Sequence, residues 1–166
     1  GILSEGVSGG ADGGFAIAGT TDAGVARQLD LWLIKTDGAG QKQWSQAFGG
    51  GGNDEGRCVR QTPDGGYILV GSTSSFGAGG SDVYLVKTDA EGNLQWEETF
   101  GGTAAEHGYS IECTEDGGYV IAGSTASAGA GLADVYLIKT DSAGNEDWHK
   151  TFGGPYSDEG YAVRQA

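Results

Sequence analysis

Apolar residues in this chain come in short runs cut by glycine-rich turns, and the runs follow two rhythms. Tyr67-Ile68-Leu69-Val70 and Val83-Tyr84-Leu85-Val86 are apolar at every position, the pattern of a strand covered on both sheet faces. From Leu94 to Phe100 the pattern alternates, with Leu94, Trp96 and Phe100 on one face and Gln95, Glu97 and Thr99 on the other. One face of that strand is therefore expected to be wet. The runs predict four strands: A over about 57–62, B over 67–73, C over 82–88 and D over 94–100. Nothing in the pattern predicts a helix.

The same pattern occurs three times without insertion, at a constant interval of 52 residues. Asp12-Gly13-Gly14-Phe15 recurs as Asp64-Gly65-Gly66-Tyr67 and Asp116-Gly117-Gly118-Tyr119. The segment Asp30–Asp37 recurs at Asp82–Asp89 and Asp134–Asp141, and Trp44, Trp96 and Trp148 share one position, as do Phe48, Phe100 and Phe152. A fixed period of this length is the mark of a repeat architecture. The turns agree. Asp-Gly-Gly between A and B suits a tight hairpin that needs positive φ, and Thr88-Asp89-Ala90-Glu91-Gly92-Asn93 between C and D offers an Asp able to close an Asx turn. The B–C connection (74–81, with counterparts 22–29 and 126–133) keeps its length while its residues vary, as expected of an exposed loop.

Two covered middle strands and a half-wet outer strand predict four-stranded antiparallel propeller-type blades in an all-β fold, rather than the shorter coils of a β-solenoid. The expected units are 1–50, with a degenerate first strand, 51–102, 103–154, and 155–166 as an extra first strand.

Thirty-four glycines and two prolines, regularly placed, fit many short strands and turns. No apolar run reaches the roughly 18 residues of a membrane-spanning helix. The formal charge of −14 opposes binding to nucleic acid and suits cations or a saline extracellular medium. There is no methionine, even at position 1, so a leader removed or lying outside this sequence is expected.

Gly118–Thr125, then Asp134–Asp141, then Trp148 and Thr151-Phe152-Gly153-Gly154 resemble the β-propeller repeat proteins of bacterial and archaeal surfaces. The resemblance extends over nearly the whole chain and implies a secreted or surface-attached protein. It names no reaction. Asp89, Gly92 and Trp96 follow the order of the tryptophan-docking motif of quinoprotein propellers, with an Asp-to-Trp spacing one residue shorter, and no other quinone-site feature is present.

Residues that recur with the repeat read as structural. Asp12, Asp64 and Asp116 belong to turn chemistry. Trp44, Trp96 and Trp148 belong to packing between adjacent blades, and Lys35, Lys87 and Lys139 to pairing with a nearby carboxylate or to snorkelling. In a four-stranded blade the D–A and B–C loops share a face, which gathers Asp54, Glu55, Glu106, Asp158 and Glu159 with the leading Asp of strand C into an expected ring of carboxylates. Such oxygens are candidates for a hard cation such as Ca²⁺, although no Asp-x-Asp-x-Asp-Gly loop is present. His107 and His149 have no repeat counterparts and are expected at the surface. Cys58 and Cys113 occupy different repeat positions and are expected to be two buried free thiols. No catalytic arrangement stands apart from the repeat, so no enzyme is expected and no cofactor beyond that cation.

The ends carry a further expectation. Asp158 to Gln165 restarts strand A, with Tyr161 and Val163 on it, whereas before Asp12 only Val7 matches its counterpart Val59. Three blades leave open edges. Self-association or additional blades would complete them, as a closed ring or as a filament joined head to tail by the C-terminal strand. The functional expectation is a non-catalytic extracellular scaffold or adhesion module. The filament subunit is the alternative, and a cation- or glycan-binding propeller a further one.

Overall fold

The computed structural model describes residues 7–9, 13–22 and 28–166. Twelve strands form three separate four-stranded antiparallel sheets, each in simple up-and-down order. The first sheet contains β1 (Val7–Gly9), β2 (Phe15–Asp22), β3 (Leu29–Thr36) and β4 (Lys42–Phe48). The second contains β5 (Asp54–Gln61), β6 (Tyr67–Thr73), β7 (Asp82–Thr88) and β8 (Leu94–Phe100). The third contains β9 (Glu106–Cys113), β10 (Tyr119–Thr125), β11 (Asp134–Thr140) and β12 (Glu146–Phe152). No helix occurs among the described residues, and none is long and apolar enough to cross a membrane.

Strands B, C and D of the second repeat have the bounds read from the sequence. Strand A begins earlier, at Asp54, because a bulge at Arg57 lets pairing continue: Gly56 faces Gly71 and Cys58 faces Val70, with Arg57 skipped. A second bulge corrects the reading of strand D. Trp96 pairs with Lys87 but Leu94 with Thr88, so the alternation breaks at Gln95 and Leu94 turns out to solvent.

The sheets stack through their strands A. β5 lies against β2 and β3 of the first sheet, and β9 against β5, β6 and β7. Two apolar layers result. One, between the first and second sheets, is built from Leu31, Leu33, Phe48, Tyr67, Leu69 and Tyr84, among others. The other, between the second and third, is built from Ile68, Val83, Leu85, Phe100, Ile111 and Ile138, among others. Alternate residues of β6 and β7 thus enter opposite layers, and both strands are buried throughout. In β3 and β11, which have a sheet on one side only, buried and half-buried positions alternate along most of the strand.

The hairpins show why two glycines in succession recur. Gly65 has φ +85°, and its counterparts take the same left-handed conformation, Gly13 at +74° and Gly117 at +85°. That is the left-handed residue of a three-residue hairpin loop, with Thr62 N donating to Gly66 O at 2.9 Å and Gly65 N to Thr62 O at 2.9 Å. Gly66 is needed for room instead: a Cβ there would stand 2.2 Å from Thr88 O and 2.8 Å from Lys87 Nζ.

The segment after Phe152 was expected to restart as strand A, and it forms no strand. It is held along the third sheet at the position strand A would take, with Gly160 N donating to Gly123 O at 3.2 Å and the Tyr161 ring 5.1 Å from Tyr109. It lacks a neighbouring strand B with which to pair. At the other end β1 is described over Val7–Gly9, and Val7 faces Ile17 as Val59 faces Leu69. It is a strand A in the proper register. Asp12 and residues 1–6 lie outside the described residues.

Candidate functional site

The chain's polar chemistry concentrates at the junctions between sheets, where the D–A loop of one meets the B–C loop of the next. Asp54 opens β5 and is fully buried. It accepts from Gly50 N at 2.9 Å, from Ser75 Oγ at 2.6 Å and from the Thr73 hydroxyl. Glu106 repeats the clasp from β9, accepting from Gly102 N at 2.7 Å, Thr125 Oγ1 at 2.9 Å and Ser127 N at 2.9 Å. Asp158 takes the same position in the C-terminal segment and accepts from Gly154 N at 2.9 Å. The first two clasps tie the loop leaving one sheet to the start of the next, and the third ties the loop leaving the last sheet to the C-terminal segment.

The leading aspartates of strand C stand opposite these clasps. Asp82 accepts from Ala78 N at 3.0 Å and Asp134 from Ala130 N at 2.8 Å, each closing its own B–C loop. A glycine separates each pair. A Cβ at Gly101 would lie 2.2 Å from Asp82 Oδ1 and 2.4 Å from Glu106 Oε2, and Gly49 stands likewise between Asp30 and Asp54, and Gly153 between Asp134 and Asp158. Burial raises the Asp82 pKa, and Glu106 adds to the rise; Asp30 is raised in the same way, with Asp54 as the neighbouring charge. Burial also opposes ionisation of Glu106, but hydrogen bonds from Gly102, Ser127 and Thr125 outweigh it and hold its pKa down.

The expected ring of carboxylates is therefore a series of pairs, one per junction, each occupied with donors from the chain itself. Glu55 and Glu159 are not members. Glu55 pairs with Arg57 at 2.5 Å, and Glu159 accepts from the Tyr161 hydroxyl. Among the described residues no group of three His, Cys, Asp or Glu side chains converges.

The other recurring residues are placed as follows. Lys87 Nζ is buried and donates to Asp64 at 2.9 Å, Thr88 O at 2.9 Å and Gln95 Oε1 at 3.0 Å. Lys139 pairs with Asp116 at 2.9 Å. Asp89 closes the C–D turn by accepting from Glu91 N at 3.0 Å and Asn93 N at 2.8 Å. Trp44 meets Tyr67 of the next sheet edge-on at 5.9 Å, and Trp96 meets Tyr119 at 6.1 Å. Trp148 has no following sheet in this chain and is 43% exposed.

Two single residues depart from expectation. His107 is half-buried rather than at the surface, because its Nδ1 lies 3.0 Å from Ser72 Oγ across the sheet junction. Cys58 is buried but Cys113 only half-buried, and the two are unbridged.

Sequence reasoning overlooked the Thr and Ser that complete the clasps, Thr73, Ser75, Thr125 and Ser127. Their signal was present, since Ser-Thr-x-Ser closes strand B in two repeats, but a hydroxyl in a Ser-rich loop reads as solvent-facing until its partner is known.

No protein-family model matches the chain. A stretch of 98 residues is 30% identical to part of the regulatory protein FlaEY of Caulobacter vibrioides, taking in 51% of this chain. The match spans about a tenth of that protein's length.

Proposed function

We propose that the chain is a non-catalytic extracellular scaffold, each sheet a β-propeller-type blade, whose variable B–C loops are displayed for adhesion. The observation that carries this reading is the division of labour within the repeat. Residues that recur at 52-residue spacing form the hairpins, the clasps and, at the two internal junctions, the inter-sheet packing, whereas the B–C loops keep their length and differ in sequence beyond the clasp residues. Leu132 is 66% exposed on its loop, and Phe76, 39% exposed, leans on Tyr84 with ring centroids 5.8 Å apart; apolar surface presented on loops over a rigid frame is what a recognition surface needs. A charge of −14 keeps such a surface soluble. The similarity to a short part of a much longer regulatory protein supports a module that recurs within larger chains.

An antibody raised against the 166-residue chain tests where it acts. It is expected to label intact, unpermeabilised cells of the source organism, and brief protease treatment of those cells should remove the signal. Labelling confined to lysed cells would contradict an extracellular role.

A further inference from the structure

The two ends of the chain are the two halves of a junction that the chain already makes twice internally, and we infer that they join: a second copy docks head to tail, seating Trp148 of one copy on Phe15 and Gly40 of the next. This concerns packing alone and holds wherever the protein resides.

The internal junctions supply the template. Trp44 packs on Tyr67, and the Cβ position of Gly92 lies 2.6 Å from its ring; Trp96 packs on Tyr119, with the Cβ position of Gly144 also 2.6 Å from its ring. Both glycines are buried under those tryptophans. One period on, the third tryptophan is Trp148. One period back, the receiving pair is Phe15 and Gly40. Gly40 is exposed with no described atom within 4 Å of its Cβ position, and it keeps the same turn, with φ +79° against +84° and +86° at Gly92 and Gly144. Among the described residues the seat is formed and open.

The faces around it match. Phe48 and Phe100, which close the internal junctions, are 8% and 7% exposed, whereas Phe152 is 54% exposed. Across the first sheet's open face Phe15 is 38% exposed and Ile17, Trp32 and Ile34 are half-buried. They stand where Tyr119, Ile121, Tyr136 and Ile138 enter the layer between the second and third sheets.

The backbone is also in place. The C-terminal segment already holds the strand-A position, and Asp158 N donates to Ala133 O at 2.7 Å as Glu106 N does to Ser81 O at 2.7 Å. In the register of β5 on β6, this segment would set Val163 opposite Ile17 and Asp158 opposite Thr21 of the second copy. Thr21 then supplies the hydroxyl that Thr73 and Thr125 supply to the other two clasps. Among the described residues that edge of β2 carries β1, Val7–Gly9, which the incoming strand would have to displace. Because the contact is heterologous, each added copy presents a fresh end, and growth continues until geometry closes it.

Sedimentation of the 166-residue chain from 1 to 200 μM tests this, with Trp148→Ser and Phe15→Ser as variants. The wild type should form dimers or longer polymers, and each variant alone should associate at least tenfold more weakly, as loss of a central aromatic anchor does. Mixed in equal amounts, the variants should give a 1:1 heterodimer, since one retains the tryptophan end and the other the seat. That rescue also shows both variants to be folded. Wild type that stays monomeric throughout would overturn the proposal and assign the faces to another occupant, such as further blades. Association unaffected by either variant, or no rescue on mixing variants whose circular dichroism and melting match wild type, would overturn it as well.

Discussion

Each recurring polar residue serves a different stage of one hairpin or one junction. Asp64 shows how much follows from a single carboxylate. Hydrogen bonds from Lys87 first, then Thr62 and Gly66, outweigh its desolvation and bring its pKa down from 3.8 to about 2. A folded pKa below the unfolded one contributes stability above the unfolded value and loses it as pH falls through the folded one. Wild type should therefore melt higher than Asp64→Asn at pH 6, and the gap should close between about pH 4 and pH 2. Because the Asp64 side chain is largely exposed, solvent screening limits the contribution to less than about 1 kcal/mol, a gap of at most roughly 2–4 °C for a chain of this size. A gap that does not vary with pH would contradict the assignment. Asp30 and Asp82 act in the opposite sense. Their raised pKa values weaken the fold as pH rises out of the ordinary carboxylate range, which makes the paired carboxylates a cost of the junction that the clasp hydrogen bonds offset.

The same sequence position carries different weight in different elements, and β8 and β12 make the comparison within one chain. Trp96 on β8 is enclosed by Tyr119 and Gly144; Trp148 on β12 is the same residue in the same register with its ring open. Truncating a well-packed tryptophan costs about 3–5 kcal/mol, and half-burial reduces that, so Trp96→Ala should lose about 2 kcal/mol in urea unfolding. Trp148→Ala, measured at low micromolar concentration, should stay within about 0.5 kcal/mol of wild type. Equal losses would mean that the recurring tryptophan acts within its own sheet and not across the junction.

This contrast also marks what could be read before the structure. Strands B, C and D were legible because apolar runs and turn glycines set them by local chemistry, as in Tyr67–Thr73. Strand A was legible in kind but not in extent. Its first residue, Asp54, is a buried acid that a hydrophobic pattern counts as loop, and its bulge at Arg57 has no local signature. Asp54, Glu106 and Asp158 stand beside the leading aspartates of strand C, while Glu55 and Glu159 do not, and the pairing across Gly49, Gly101 and Gly153 depends on how neighbouring sheets approach. Lys87 was assigned to a carboxylate correctly in kind, and Asp64 as its partner emerges only once β6 and β7 are paired.

At the scale of the whole molecule, stability rests on nearest-neighbour junctions, as in other repeat architectures, and the described residues hold two complete ones and a half at either side of them. The central claim is that those halves are complementary, and amide hydrogen exchange tests it most directly. In a single copy the C-terminal segment 158–165 has no strand partner; the Asp158, Gly160 and Val163 amides are held by Ala133 O, Gly123 O and Ser110 Oγ, and its other amides should exchange rapidly in dilute solution. When labelled at high concentration the segment should gain protection approaching that of β5, while β5 itself, already paired within the chain, stays unchanged. Protection of 158–165 that is equally low at 2 and 200 μM would contradict the account.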